Sequence, residues 1–183
     1  MKQIITLFAA LSLLSGCAGG LKVSDDYTFG AKGNEGIIVA STRTDDKCRG
    51  FSNSSSIGFQ GDASTGNKAA GFFLENSFMK NDFNNPPGYF QMIKLPAGTY
   101  TFNRLYKTGV MEGSLPLDQF KISFTVKPGK VHYLGEIHGD IPDCNTVVMT
   151  VKDQRKRDGM LFDKKMKRLK SSDFDYQILK VAR

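Results

Sequence analysis

Apolar and polar residues alternate most clearly in the second half of the chain, and this pattern predicts strands. In residues 120–126 apolar side chains alternate with lysine, serine and threonine, so one face of the strand is expected to be buried and the other solvated. Residues 89–95, 99–107 and 130–138 show a similar alternation. We therefore expect four strands in this part of the chain.

Turn residues separate these strands in pairs. Pro96-Ala97-Gly98 lies between 89–95 and 99–107, and Pro128-Gly129 lies between 120–126 and 130–138. Pro96 and Gly98 stand at the positions that a type I turn favours. Pro128-Gly129 suits the centre of a type II turn, because proline fixes the first φ and glycine permits the positive second one. Each pair is therefore predicted to form a hairpin.

Shorter apolar segments predict further strands at 36–43, 57–60, 71–75 and 146–152. After Asp153, a potential helix cap, the period changes: Phe162, Met166 and Leu169 recur at helical spacing among basic residues. A helix is expected over about 153–170, followed by a last strand or packed tail.

The chain begins with the three parts of an export signal: Lys2, an apolar run to Leu14, and small residues up to Gly16. The run is too short to span a bilayer, so residues 1–16 are interpreted as a cleaved signal. Polar, glycine-rich residues 17–33 resemble a tether. Alternatively, Tyr27 and Phe29 pack on the edge of the following domain.

Composition favours a single β domain after the signal. Fourteen Phe, six Tyr and nineteen Gly without Trp favour strands and turns over a helical bundle, and the remaining length suits one domain. We expect residues 34–183 to form a mainly β fold, an antiparallel β-sandwich with one C-terminal helix.

Leu14-Ser15-Gly16-Cys17 resembles the lipobox of bacterial lipoproteins. The resemblance implies cleavage after Gly16, a diacylglyceryl thioether on Cys17, and acylation of its amino group by a chain such as palmitate. Two or three acyl chains anchor a protein firmly. Ala18 in place of Asp implies the outer membrane, facing the periplasm. The alternative is an ordinary secretory signal with an incidental cysteine.

The segments LPAGTYTF and FTVKPGKVHYLG are similar to uncharacterised bacterial lipoproteins and to carboxypeptidase-regulatory-like domains. These share an immunoglobulin-like or transthyretin-like sandwich, which the resemblance implies for residues 37–152. It implies no catalytic residues.

Cys48 and Cys144 remain in a compartment that permits disulfides. A bridge between them would close a loop of about 97 residues, worth about 4–5 kcal/mol in the chain-entropy model. The alternative is two separate thiols.

Net charge is +7, and the last 32 residues hold 11 basic and 5 acidic side chains. An exported protein makes nucleic acid an unsuitable partner, so this excess favours contact with anionic lipid or lipopolysaccharide. The alternative is a solvated helix face.

Candidate chemistry is sparse, and we expect no catalytic residue, cofactor or metal. His132, Glu136 and His138 share a strand face by even spacing and Asp140 follows, so a metal-binding or hydrolase site is the alternative to a solvated polar face. The loop at 76–88, with exposed Phe78, Met79 and Phe83, is the candidate interaction loop, unless these residues fold back.

These features predict a membrane-anchored envelope lipoprotein that acts as a binding or structural module. One alternative is the anchoring component of a secretion or envelope assembly, with an envelope protein as partner. The other is the hydrolase or metal-binding protein.

Overall fold

The computed structural model describes residues 23–47, 54–108, 113–116, 122–143 and 145–180. The predicted signal and all three cysteines lie outside these ranges. The described residues form eleven strands and one α-helix: β1 (Glu35–Asp46), β2 (Ser54–Gly61), β3 (Ala69–Asn76), β4 (Phe83–Asn84), β5 (Pro87–Pro96), β6 (Gly98–Thr108), β7 (Gly113–Pro116), β8 (Ser123–Val126), β9 (Val131–Ile141), β10 (Val148–Lys152), α1 (Arg155–Lys165) and β11 (Phe174–Tyr176).

The strands form two sheets. Sheet A has the order β10-β9-β1-β5-β4, and β11 pairs with the first part of β9. Sheet B has the order β3-β2-β6-β7, and β8 pairs with the first part of β6. Most pairs are antiparallel, but β1 and β11 both run parallel to β9. Alternation along single strands does not reveal this parallel pairing.

Aromatic side chains of sheet B line the core between the sheets, where they pack in one cluster with Ile38 and Ile93 of sheet A. Phe59 lies against the rings of Phe72, Tyr100, Phe102 and Phe124, with centroid distances of 5.3–5.9 Å. All five side chains are buried. Burial of each large apolar side chain contributes about 1.5–3 kcal/mol, so this cluster stabilises the sandwich.

Helix α1 forms a third layer on the outer face of sheet A. Phe162 and Met166 pack in one buried cluster with Val39 of β1 and Val131 of β9. The order of layers is therefore α1, sheet A, sheet B. The expected fold class, a β-sandwich with one C-terminal helix, is confirmed.

The helix is shorter than the predicted span of 153–170. It ends at Lys165, and Met166 has an extended backbone. The Lys167 N–H then donates to the carbonyl of Asp25 at 2.7 Å instead of continuing the helix. The pairing of this segment with the N-terminal residues therefore competes with the last predicted turns.

Both predicted hairpins are wrong, because each turn carries the chain from one sheet to the other. Strands β5 and β9 lie in sheet A, whereas β6 and β8 lie in sheet B. The turns bond to the start of β1: Ala97 N–H donates to Asn34 O, and Gly129 N–H donates to Glu35 O, each at 2.9 Å.

Side-chain burial explains the difference. Leu95 and Tyr100, on either side of the first turn, both pack in the core between the sheets. Two strands that face each other across a core show the same alternation as two strands that pair side by side. The pattern identifies the buried face but not the partner strand.

The predicted tether at 17–33 is corrected from Val23 onward. Val23 is buried and packs with Met166, and the Tyr27 hydroxyl donates to Glu35 Oε1 at 2.6 Å. The Tyr27 ring meets Phe29 edge-on, with centroids 5.4 Å apart. The alternative in which these aromatic residues pack on the domain is therefore the observed one.

Candidate functional site

A buried polar cluster lies between α1 and sheet A. Asp158 is fully buried, and its Oδ2 accepts hydrogen bonds from Ser41 Oγ and Tyr133 Oη, each at 2.7 Å. Arg157 donates to Asp158 Oδ1 at 2.8 Å, to Glu136 Oε2 at 2.7 Å and to Ser41 Oγ at 2.7 Å. The cluster therefore connects α1 to both β1 and β9.

The geometry of this cluster suits helix docking. Ser41 is fully buried and uses its hydroxyl both to donate to Asp158 and to accept from Arg157. Burial, followed by the charge of Asp158, raises the pKa of Tyr133, which stays neutral and donates its proton. The Arg157 guanidinium also lies 4.0 Å from the ring centroid of Phe83.

Sequence reasoning missed this cluster because it treated the charges of α1 as solvated. One signal was present: Asp158 precedes Phe162 by four residues, and residues four apart share a helix face. An acidic residue on the buried face of a helix needs a partner in the underlying sheet.

Gly135 lies between His132 and Glu136, which even spacing predicts on one face of β9. It has φ of 101°, and the pairing of β9 with β1 shifts register beside it. A single extra residue reverses which face the following side chains occupy. As a result His132 lies on the face of β9 opposite to Glu136 and His138. The predicted shared face is therefore wrong for His132 and holds for Glu136 and His138.

His132 is fully buried beside β11. Its Nε2 accepts a hydrogen bond from the Lys127 N–H at 2.8 Å, and its Nδ1 lies 3.2 Å from Asp175 Oδ2. Burial lowers the pKa of His132 despite the nearby carboxylate. A hydrogen bond from the Lys127 side chain lowers the pKa of Asp175, so this carboxylate stays charged beside a neutral ring.

His138 has a different partner, Asp45, with 3.0 Å between Nε2 and Oδ2. Glu136 forms an ion pair with Arg157. Asp140 lies two residues after His138 on β9, at the position that pairs with Asp45 of β1. Within the described ranges, no group of three or more His, Cys, Asp or Glu side chains has metal-site geometry.

The surface around α1 carries cations that form no ion pair with any described residue. These exposed residues are Lys152, Lys156, Lys164, Arg168, Lys170 and Lys180. Met160, which is 63 % exposed, lies one helical turn from both Lys156 and Lys164. We call Lys156, Met160, Lys164, Arg168 and Lys170 the basic surface.

The N-terminal segment lies beside this surface. Val23, Ser24 and Asp25 line the same shallow depression as Lys165 and Met166. The segment is fixed there by burial of Val23 and by the hydrogen bond from Lys167 to Asp25.

A cleft opens between β3 and β5, at the side of the sandwich. Gln91 of β5 accepts from the Phe73 N–H at 2.9 Å and donates to its carbonyl at 2.7 Å, and the Tyr89 hydroxyl bonds to the N–H and carbonyl of Asn76 at 3.0 and 2.9 Å. Beyond Phe73 these bridges stop. The resulting cavity of about 400 Å³ reaches from β5 across β3 onto sheet B.

The candidate interaction loop at 76–88 divides into two parts. Phe83 belongs to β4, which pairs with the start of β5, and it is half-buried beside Arg157. Phe78 and Met79 are 86 % and 45 % exposed. Only the first part of the loop therefore presents large apolar side chains to solvent.

The predicted disulfide and lipid attachment site fall outside the described residues. The Lys47 N–H donates to Ile141 O at 3.1 Å, so the segments that continue to Cys48 and Cys144 leave from the same end of sheet A. The bridge itself stays a prediction.

No protein-family model, curated protein or solved structure matches the chain. None of the helices in the described ranges is long and apolar enough to cross a bilayer.

Proposed function

We propose that the chain is a lipid-anchored, non-catalytic binding module of the outer membrane that rests on the periplasmic leaflet through its basic surface. The observation that supports this orientation is the docking of Val23 beside the end of α1. It brings the point where the anchor joins the domain next to the unpaired cations.

The link between anchor and domain is short. Only residues 18–22 separate Cys17 from Val23, and an extended chain spans about 3.3–3.6 Å per residue. A lipid on Cys17 would therefore hold Val23 within about 20 Å of the headgroups. The domain has little freedom to turn another face toward the membrane.

Charge favours the same orientation. Anionic headgroups attract clustered lysine and arginine near a membrane surface. Met160 projects between Lys156 and Lys164 and suits insertion at the boundary between headgroups and acyl chains. Because sheet A lies between α1 and sheet B, the outer face of sheet B would be directed away from the membrane, toward a partner.

A second candidate function is the anchoring component of a larger envelope assembly. The exposed Phe78 and Met79 favour it, because adjacent exposed apolar residues on a loop suit a protein contact. A stoichiometric complex that is purified with the lipidated protein and lost in a Phe78→Ser, Met79→Ser variant would support this candidate.

Vesicle binding tests the proposed orientation. The chain from residue 17 with Cys17→Ser should bind vesicles that contain anionic phospholipid and not neutral phosphatidylcholine vesicles. Substitution of Lys156, Lys164, Arg168 and Lys170 by glutamine should weaken binding by roughly tenfold or more. Added salt should weaken it as well.

A matched control removes the same charge elsewhere. Lys32, Lys68, Lys80 and Lys130 are exposed and form no ion pair with a described residue. Their substitution by glutamine should leave vesicle binding nearly unchanged. Equal loss in the two quadruple variants would show that net charge alone acts and would contradict the proposed orientation.

A further inference from the structure

The first half of β3 is an open sheet edge that lies inside the cleft. β3 pairs with β2 and with no other strand among the described residues. The second half of its free edge is closed by the side chains of Gln91 and Tyr89. No side chain in the described part of the protein covers the first half in this way.

Backbone groups of Ala69 and Gly71 face this opening. In an antiparallel pair, successive residues direct their N–H and C=O groups alternately toward and away from the neighbouring strand. The Gly61 N–H donates to Lys68 O, whereas the N–H and C=O of Phe73 are held by Gln91 from the other side. Ala69 and Gly71 share the orientation of Phe73 and therefore offer their backbone groups to the cleft.

The side chain of Gln91 indicates which kind of group pairs with the free edge of β3. Its side-chain amide has the same donor and acceptor as a peptide group, and it makes the two hydrogen bonds that a neighbouring strand would make at Phe73. A peptide in extended conformation could continue this pairing at Gly71 and Ala69.

The floor of the cleft on sheet B is formed by small residues. Gly58 pairs with Gly71, and the Tyr106 ring lies so close to Gly58 that a Cβ there would come within 2.5 Å of it. Tyr106 and Phe73, 43 % and 39 % exposed, stand at the borders of the cleft. An apolar side chain from a bound strand would fit between these rings.

Charge at the cleft favours an acidic ligand. Lys68 lines the cavity beside Ala69 and forms no ion pair with a described residue. Lys94 lies at the opposite wall, and its Nζ forms an ion pair with Glu35 Oε1 at 3.3 Å. An acidic residue next to the apolar anchor would complement Lys68.

We propose that β3 binds an extended segment of a partner protein by strand addition, with backbone bonds to Ala69 and Gly71, an apolar side chain between Phe73 and Tyr106, and an acidic residue near Lys68. This inference names the ligand of the binding module proposed above and rests on it. Main-chain bonds supply affinity in such complexes, and the alternate side chains supply specificity.

A displayed library of random seven-residue peptides is the probe. Panning against the lipid-free chain, Cys17→Ser from residue 17, should enrich peptides with an apolar residue beside an acidic one. Addition of an enriched peptide should shift the amide resonances of Ala69 and Gly71 most strongly. Since no lipid or vesicle is present, failure here leaves the membrane proposal intact, and failure of vesicle binding leaves this one intact.

Two variants test the mode of binding. Ala69→Pro removes the outward N–H at the first residue of an edge strand, a position that tolerates proline, and should weaken binding roughly tenfold or more. The control, Ala63→Pro, lies at the first position of the 3₁₀ turn Ala63–Thr65 after an extended Asp62, and should bind like the unmodified chain.

Lys68→Glu provides a test that does not depend on proline. Panning against this variant should enrich basic instead of acidic neighbours of the apolar residue. The proposal is overturned if no peptide is enriched, if enriched peptides bind Ala69→Pro undiminished, or if the resonance shifts lie on another surface. A dimer of the chain that Ala69→Pro dissociates would overturn it in favour of pairing between two copies.

Discussion

At the scale of single residues, attachment of α1 depends on the carboxylate of Asp158. Helix α1 offers few apolar contacts, with Phe162 its only fully buried large side chain in the described structure. The bonds from Ser41, Tyr133 and Arg157 to Asp158 satisfy the buried charge. A charge in this position stabilises the helix only while all its partners are present.

Asp158→Ala should therefore lower the free energy of unfolding by about 3–5 kcal/mol, because it leaves buried donors without an acceptor. Urea denaturation of the lipid-free chain measures this. Asp163→Ala is the control on the same helix: Asp163 is exposed and bonds to Ser171, so its loss should cost about 1 kcal/mol or less. Equal effects would show that the cluster does not hold the helix.

His132 should make stability depend on pH. Burial lowers its pKa in the folded protein, so below the unfolded pKa of about 6.5 the unfolded chain binds more protons. The contribution of the buried, neutral His132 to the free energy of unfolding is complete above that pH. It is lost as the pH falls toward the pKa of His132 in the folded protein. In urea denaturation across pH 5–8, the free energy of unfolding of His132→Gln should fall less on acidification than that of the unmodified chain. His138→Gln, at a more exposed site, should retain most of the pH dependence of the unmodified chain.

At the scale of elements, glutamine amides cover one residue on each of two edge strands of sheet B, β3 and β8. Gln91 bonds the N–H and carbonyl of Phe73 in β3, and Gln177 bonds those of Thr125 in β8 at 3.1 and 2.8 Å. Exposed strand edges promote aggregation unless they are covered. Each amide covers one residue of an edge without adding a strand.

Gln91→Ala should expose the edge at Phe73. The variant loses the two hydrogen bonds to Phe73 and one to Thr42 Oγ1, each worth about 0.5–1.5 kcal/mol. Without its acceptor, the Phe73 amide should exchange its hydrogen with solvent roughly tenfold or more faster. Gln60→Ala, an exposed glutamine on β2, should leave that rate unchanged. Unchanged exchange in the Gln91 variant would mean that its amide does not cover the edge.

Sequence pattern predicted most elements and misplaced their connections. Alternation identified the buried face of β8 and that of β6 as far as Phe102, because burial repeats every second residue. The register shift between Phe102 and Arg104 then buries Leu105 in place of the predicted Tyr106. It did not identify the crossing of Pro96-Ala97-Gly98 between sheets, the shift at Gly135 or the role of Gln91. These depend on contacts between segments far apart in the chain, which local periodicity does not encode.

At the scale of the whole molecule, the two proposed contacts lie on different surfaces. The basic surface and Val23 lie on the helix side, and the cleft with its open β3 edge lies between the sheets and reaches onto sheet B. Composition and charge indicated a basic C-terminal region, but its position beside the N-terminal segment follows from tertiary packing. The cleft had no signal in the sequence, because its residues come from four separate strands.

The proposed location and orientation of the domain both depend on the predicted lipid at Cys17. Intact-mass analysis of protein extracted from the membranes of its native cells tests this directly. We predict a chain that starts at Cys17 and carries the added mass of a diacylglyceryl group and an amide-linked acyl chain. An unmodified Cys17 thiol, or a mature chain that starts before Cys17, would contradict the account.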